Sequence, residues 1–267
     1  MGNTSLRDLL WYVSVALNGL LAARVVQLRL ARRYPVLVTL LCFNVARNGL
    51  LVYLRSSGRS LFNHNGYNAF FIFTEPIVWA LYLLLLVELY SLMLEAFPGL
   101  RRLGRLVMVA AVVSLGVASA VLILLDQHAG FDAWPFLSKL ALKQRTVYLG
   151  LSALTVFLLL FVAHYRLPIC RNVWVLWSCF SGIFLAAALL FTLRRYLGSG
   201  FIPTRDVLGP LSYVAALLSA NLFLSEAGES EKRPISLIGA RRNPELEAAL
   251  SSQLQSFNQV LLKVLRQ

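Results

Sequence analysis

The sequence is short of charge. Of its 267 residues only 14% are Asp, Glu, Lys or Arg, while 58% are hydrophobic; a soluble domain carries about 25% charged residues. That scarcity, with a mean hydropathy of +0.70, excludes an ordinary water-soluble fold. Acid is scarcer still: 25 Lys and Arg stand against 12 Asp and Glu, a net charge of +13. With no nucleic-acid motif present, this excess fits anionic headgroups near helix ends, and the expected partner is the lipid bilayer. Cysteine and histidine number three each. Cys42, Cys170 and Cys179 avoid the expected outer loops, so no structural disulfide is expected. His64, His128 and His164 are not placed mid-span for haem, and no metal-ligand spacing is found. HExxH, P-loop and GxSxG patterns are absent. No enzyme, metal or cofactor is therefore expected. The start, MGNTSLRD, has neither a basic leader nor a small-residue cleavage site after the first apolar run, which reads as an uncleaved anchor.

What the sequence has is long apolar runs. A bilayer span needs about 20 such residues, and seven runs qualify: Leu9–Val26, Pro35–Leu54, Asn68–Met93, Leu106–Leu125, Val147–His164, Val173–Leu193 and Val207–Leu224. Lipid leaves no partner for open backbone, so the runs are helices. The expected fold is an all-α integral membrane protein, a seven-transmembrane helix bundle. The seventh run lacks the lysine a retinal protein needs. The third ends in ELYSLML rather than a DRY-type triplet, and no NPxxY follows. Basic residues balance across the loops, but the tail and the cluster behind the first run place the N-terminus outside and the C-terminus inside.

Outside the bundle, Trp134, Phe136, Leu137, Leu140 and Leu142 predict a short interfacial helix before the fifth run. Residues 225–242 read as a polar linker. Residues 243–267 read as a cytoplasmic amphipathic helix, opened by Asn243 and Pro244. Leu250, Leu254, Phe257, Leu261 and Val264 form its apolar seam, short for a coiled coil and suited to a protein partner or self-association. Prolines recur in step, Pro35 and Pro76 in one half, Pro168 and Pro210 in the other. Trp79 follows Pro76 as Tyr213 follows Pro210, which suggests a 3+1+3 repeat.

One span carries a cation: FNVARNG places Arg47 between Asn44 and Asn48. Intramembrane arginine costs about 2.5 kcal/mol or more and needs a partner away from lipid. Glu75 in the third run lies at matching depth across an antiparallel turn, so the two should pair. Pro76 interrupts the amide ladder there, and Asn44, Asn48, Thr74 and Trp79 complete a polar site. The pair is either a rivet between two helices or the floor of a ligand pocket. A second acid, Glu88, shares the expected inner depth with Arg24 and Arg105; it either snorkels or forms an inner latch with them.

The segments ARRYPVL, LLLVELY and PGLRRLGR resemble those of a group of uncharacterised multi-pass bacterial membrane proteins, which implies a bacterial inner-membrane location. More distantly, seven spans with an inner helical extension are similar to the input modules of bacterial sensor kinases. Three functions stay open: a sensor-like or accessory module coupled to its tail helix, a small-solute transporter with a midplane site, or a structural subunit of a membrane complex.

Overall fold

Each apolar run among the described residues is a helix, since only a helix satisfies its own backbone bonds in lipid. The computed structural model describes residues 2–57, 64–95, 97–102, 133–164 and 168–234, with 252–253, 255–256 and 258–263 in the tail. Its helices are α1 (Gly2–Gln27), α2 (Pro35–Ser57), α3 (His64–Met93), α4 (Ala133–His164), α5 (Arg171–Leu197) and α6 (Ile202–Phe223). All six contain a stretch long and apolar enough to cross a membrane. The expected fourth run, Leu106–Leu125, and Arg105 lie outside the described residues. The short helix expected to lead into the fifth run is continuous with it: residues 134–142 belong to α4, which runs unbroken from Ala133 into the span.

Neighbours in the bundle are α1 with α2 and α6, α2 with α3, and α5 with α4 and α6; α3 also meets α4 and α5. This closes a ring, and its two ends are built differently. In one half, Leu21 and Val25 of α1 pack with Leu37, Leu40 and Leu41 of α2, Leu85, Leu86 and Leu89 of α3, Leu176, Trp177, Phe180 and Phe184 of α5, and Leu217 of α6. All are buried. Without a hydrophobic drive between helices in lipid, such close packing is a main source of association. The opposite half is lined by polar and aromatic groups around a cavity.

Charged side chains finish the packed end. Arg29 takes a left-handed conformation (φ 57°) just after α1. Pro35 then starts α2, where its missing N–H costs nothing. The next two amides, of Val36 and Leu37, donate to Glu88 Oε1 and Oε2 at 2.9 and 3.1 Å. Arg24 Nη2 donates to the carbonyl of Leu224, the C-cap of α6, at 2.9 Å. Between Glu88 and Arg24 the inner latch is therefore corrected. The carboxylate goes to a positive helix start and the guanidinium to a negative helix end, each complementing backbone groups left without a helical partner.

The segment read as a polar linker is folded over residues 225–234. A 3₁₀ turn (Ala227–Glu229) leads into β2 (Lys232–Pro234), which pairs antiparallel with β1 (Pro168–Cys170), Ile169 opposite Arg233. Glu229 holds the turn down. Its Oε1 accepts from Tyr34 Oη at 2.5 Å and Asn172 Nδ2 at 3.0 Å. Its Oε2 lies 2.9 Å from Arg33 Nε, an ion pair without linear hydrogen-bond geometry. Burial opposes the charge of Arg33, but the carboxylates of Glu229 and Glu95 outweigh it and raise its pKa. Burial and the bond to Glu229 hold the Tyr34 phenol far above its usual range.

The tail helix also has a seat on its own bundle. Asn258 Oδ1 accepts from the amides of Gly99 and Leu100 at 2.7 and 3.4 Å, and Leu261 packs against the core. Of the predicted apolar seam only Leu261 is described; Leu250, Leu254, Phe257 and Val264 lie outside the described residues. Gly99 makes the seat possible, since a Cβ there would stand 2.7 Å from the Asn258 backbone oxygen. Gly99→Ala should therefore lift the tail helix without unfolding the bundle. Limited proteolysis of the purified protein should then cut residues 252–263 at least about tenfold faster than in wild type, as expected when a docked segment loses its contacts. Equal cutting rates would show that the tail is held elsewhere.

Candidate functional site

The half of the bundle opposite the packed core encloses a cavity of about 1040 Å³. Every long helix gives it a wall: Trp11 and Ser14 from α1, Asn44, Arg47 and Asn48 from α2, Phe71, Glu75 and Tyr82 from α3, Gln144 and Tyr148 from α4, Ala187 and Phe191 from α5, and Arg205, Asp206 and Tyr213 from α6. Its size and mix of aromatic and convergent polar groups are those of small-molecule pockets.

Arg47 and Glu75 meet in its wall. Arg47 Nη2 donates to Glu75 Oε2 at 2.5 Å, with the two side chains 9% and 7% exposed. Arg47 Nε donates to Thr74 Oγ1 at 2.8 Å, and the guanidinium carbon lies 4.9 Å from the centre of the Phe71 ring. The other carboxylate oxygen, Oε1, accepts from Gln144 Nε2 at 3.1 Å. A cation, an anion, a neutral amide and an aromatic face thus satisfy one another across three helices. The Thr74 hydroxyl donates back to Phe70 O at 2.8 Å, one turn earlier on its own helix. This local bond, common for threonine in helices, fixes the oxygen that receives Arg47.

A second chain of bonds joins α2 to α1 and α6. Asn48 Oδ1 accepts from Trp11 Nε1 at 3.1 Å, and Asn48 Nδ2 donates to Asn44 O at 2.8 Å. Asn44 Nδ2 donates to Tyr213 Oη at 3.3 Å, which in turn donates to Asn18 Oδ1 at 3.0 Å. Near the end of α5, Arg205 pairs with Asp206 at 2.8 Å, and its guanidinium carbon lies 5.4 Å from the centre of Phe191. Phe191 stacks on Tyr148 at 5.8 Å and 12°.

Of the residues singled out in the sequence, Arg47, Glu75, Asn44, Asn48 and Thr74 come together. Trp79 does not: it packs against the core, and its indole N–H meets no acceptor among the described residues. Tyr213, its counterpart in the suggested repeat, is bonded to two asparagines, so the two positions do different work. Sequence reasoning missed Gln144, Trp11, Asn18 and the Arg205–Asp206 pair. Gln144 sat in a stretch assigned to a loop; extending the fifth run's helix back through KQRT would have placed it on α4, though not turned it toward Glu75. Searches against protein-family models, curated proteins and solved structures found no match to the chain.

Removing one member of a buried ion pair strands the other, at a cost of about 3–5 kcal/mol, whereas apolar replacement of both is often neutral. Arg47→Leu should lose about that much unfolding free energy, and the Arg47→Leu/Glu75→Leu double variant should recover most of it. Reversible unfolding in mixed micelles measures both. A double variant as unstable as the single one would show that the two groups are not coupled.

Proposed function

We propose that the chain is a sensor-like module of seven spans, six described here and a fourth at Leu106–Leu125, in a bacterial inner membrane. Its cavity receives a small solute from the outer side, and occupancy is passed through the bundle to the C-terminal helix, whose exposed face meets a partner. With the N-terminus outside, the hollow half of the ring faces outward and the packed half faces the cytoplasm.

One observation carries this reading: the cavity is backed by packed side chains. Behind Tyr82 stand Phe180 and Phe184, with Tyr82 and Phe184 edge to face at 5.2 Å. The leucine core of α1 to α3 follows. A pocket backed in this way among the described residues suits recognition, while a transporter needs a route past its site. The same packed half carries the two charged helix caps and the seat of the tail helix, so a shift of α3 or α6 around a solute reaches them directly. Energetically, the solute can move the tail only by as much as it favours one arrangement of the helices over another.

Ala187 lies in the cavity wall, and Ala187→Trp would occupy the space a solute takes. Hydrogen–deuterium exchange over residues 252–263 of the full chain in nanodiscs should then change by about fivefold or more, because docked and released segments differ in local opening free energy. Unchanged exchange with an intact bundle would uncouple cavity from tail and end the sensor reading. Solute uptake by proteoliposomes that disappears in Glu75→Gln would replace it with the transporter.

A further inference from the structure

We infer that the cavity takes a zwitterionic solute with an apolar body, an α-amino acid or a molecule of the same charge pattern, in preference to a simple anion or cation. The inference deepens the ligand-receiving role proposed above and rests on it.

The walls carry their charge in opposite pairs. Arg47 is matched by Glu75, and Arg205 by Asp206. Asp8, a further acid on the described walls, is itself partnered. In surroundings of low dielectric a single added charge is left uncompensated. An anion approaching Arg47 would face Glu75 beside it, and a cation approaching Glu75 would face Arg47. A solute carrying both signs escapes the conflict by lying antiparallel to the pair.

The pair has capacity for such a guest. A guanidinium offers five N–H donors and a carboxylate about four acceptor positions. Arg47 gives Nε to Thr74 and Nη2 to Glu75, and Glu75 accepts from Arg47 and Gln144. Both groups border the cavity, so an ammonium and a carboxylate can be added without breaking what holds them. The apolar body has its own surface in the parallel Tyr148 and Phe191 rings, beside Leu190. Phe191 is stacked on Tyr148 and also covered by Arg205, so a cation–π contact there is already made and its faces are in use. The ring edges, Tyr148 and Leu190 are left for hydrocarbon or an aromatic ring.

The same charge pattern occurs on a phosphatidylethanolamine headgroup, so the test separates the two sources. The full chain in phosphatidylglycerol nanodiscs is titrated calorimetrically with L-phenylalanine, 3-phenylpropionate and 2-phenylethylamine, which share a ring and differ in charge. L-phenylalanine should bind at least about tenfold more tightly than either analogue, a difference set by one matched charge. Glu75→Gln should bring it close to 3-phenylpropionate. In nanodiscs containing phosphatidylethanolamine, weakened L-phenylalanine binding assigns the headgroup as the natural occupant, and unchanged binding assigns a free solute. Either analogue binding as tightly as L-phenylalanine to the wild-type protein, or no heat from L-phenylalanine at millimolar concentration, overturns the inference. Tail exchange in Ala187→Trp is read independently, so binding without coupling and coupling without zwitterion preference are told apart.

Discussion

An arginine in a membrane span has to be kept from lipid and given a counter-charge, and that requirement organises the hollow half of this bundle. It turns the Asn44–Asn48 face of α2 inward and sets α2 against α3 at the depth where Glu75 can reach it. The carboxylate needs a second donor, which draws in Gln144 and with it the rotation of α4. The uncovered face of the guanidinium is met by Phe71 from the preceding turn of α3. Three contacts on the cation and a fourth on its counter-ion thus fix the relative turn of three helices.

The rest of the structure divides between two ways of holding helices together in lipid. At the packed end, leucine and aromatic contacts supply dispersion, and charges serve the helix termini. At the hollow end there is little to pack, and side-chain hydrogen bonds replace contact area. The Trp11–Asn48–Asn44–Tyr213–Asn18 chain links α1, α2 and α6 beside the cavity. Bonds of this kind in bilayers are worth about 1 kcal/mol each, enough to keep a cavity open and little enough to exchange for bonds to a guest. A leucine core cannot be traded in that way, because no solute refills its contacts as it leaves.

The spans were legible because bilayer thickness dictates an apolar run of fixed length, whatever the neighbours. The Arg47–Glu75 pairing was legible too, since consecutive antiparallel helices place residues equally far from their shared turn at one depth. Rotation was not legible. Low moments around these helices reflect apolar residues on every face, so nothing in the composition of α3 separates Trp79, turned into the core, from Glu75, turned into the cavity. Segment 225–234 misled for a related reason: SEAGESEKRP is polar, and polarity alone reads as solvent. Its acid Glu229 answers a cation and a phenol nearly two hundred positions earlier, and Gly228 is bare because a Cβ would stand 2.2 Å from Asn172 Oδ1. Such matches depend on which loops share an end of the bundle, and local sequence does not record that.

The two glutamates of α3 show why one acid in a span can be a site and another a strut. On an ideal helix they point roughly 140° apart, and they meet different kinds of partner. Glu88 accepts two backbone amides at the start of α2, donors that cannot rotate away and that no solute could replace without unwinding a helix. Glu75 is held by a guanidinium and a carboxamide, both on rotatable stems and both facing open space. Such side chains can take on bonds to a guest while keeping those they already make. Charge alone does not distinguish the two acids; the kind of partner does. Side-chain partners beside a cavity make Glu75 and Arg47 the place to look for recognition.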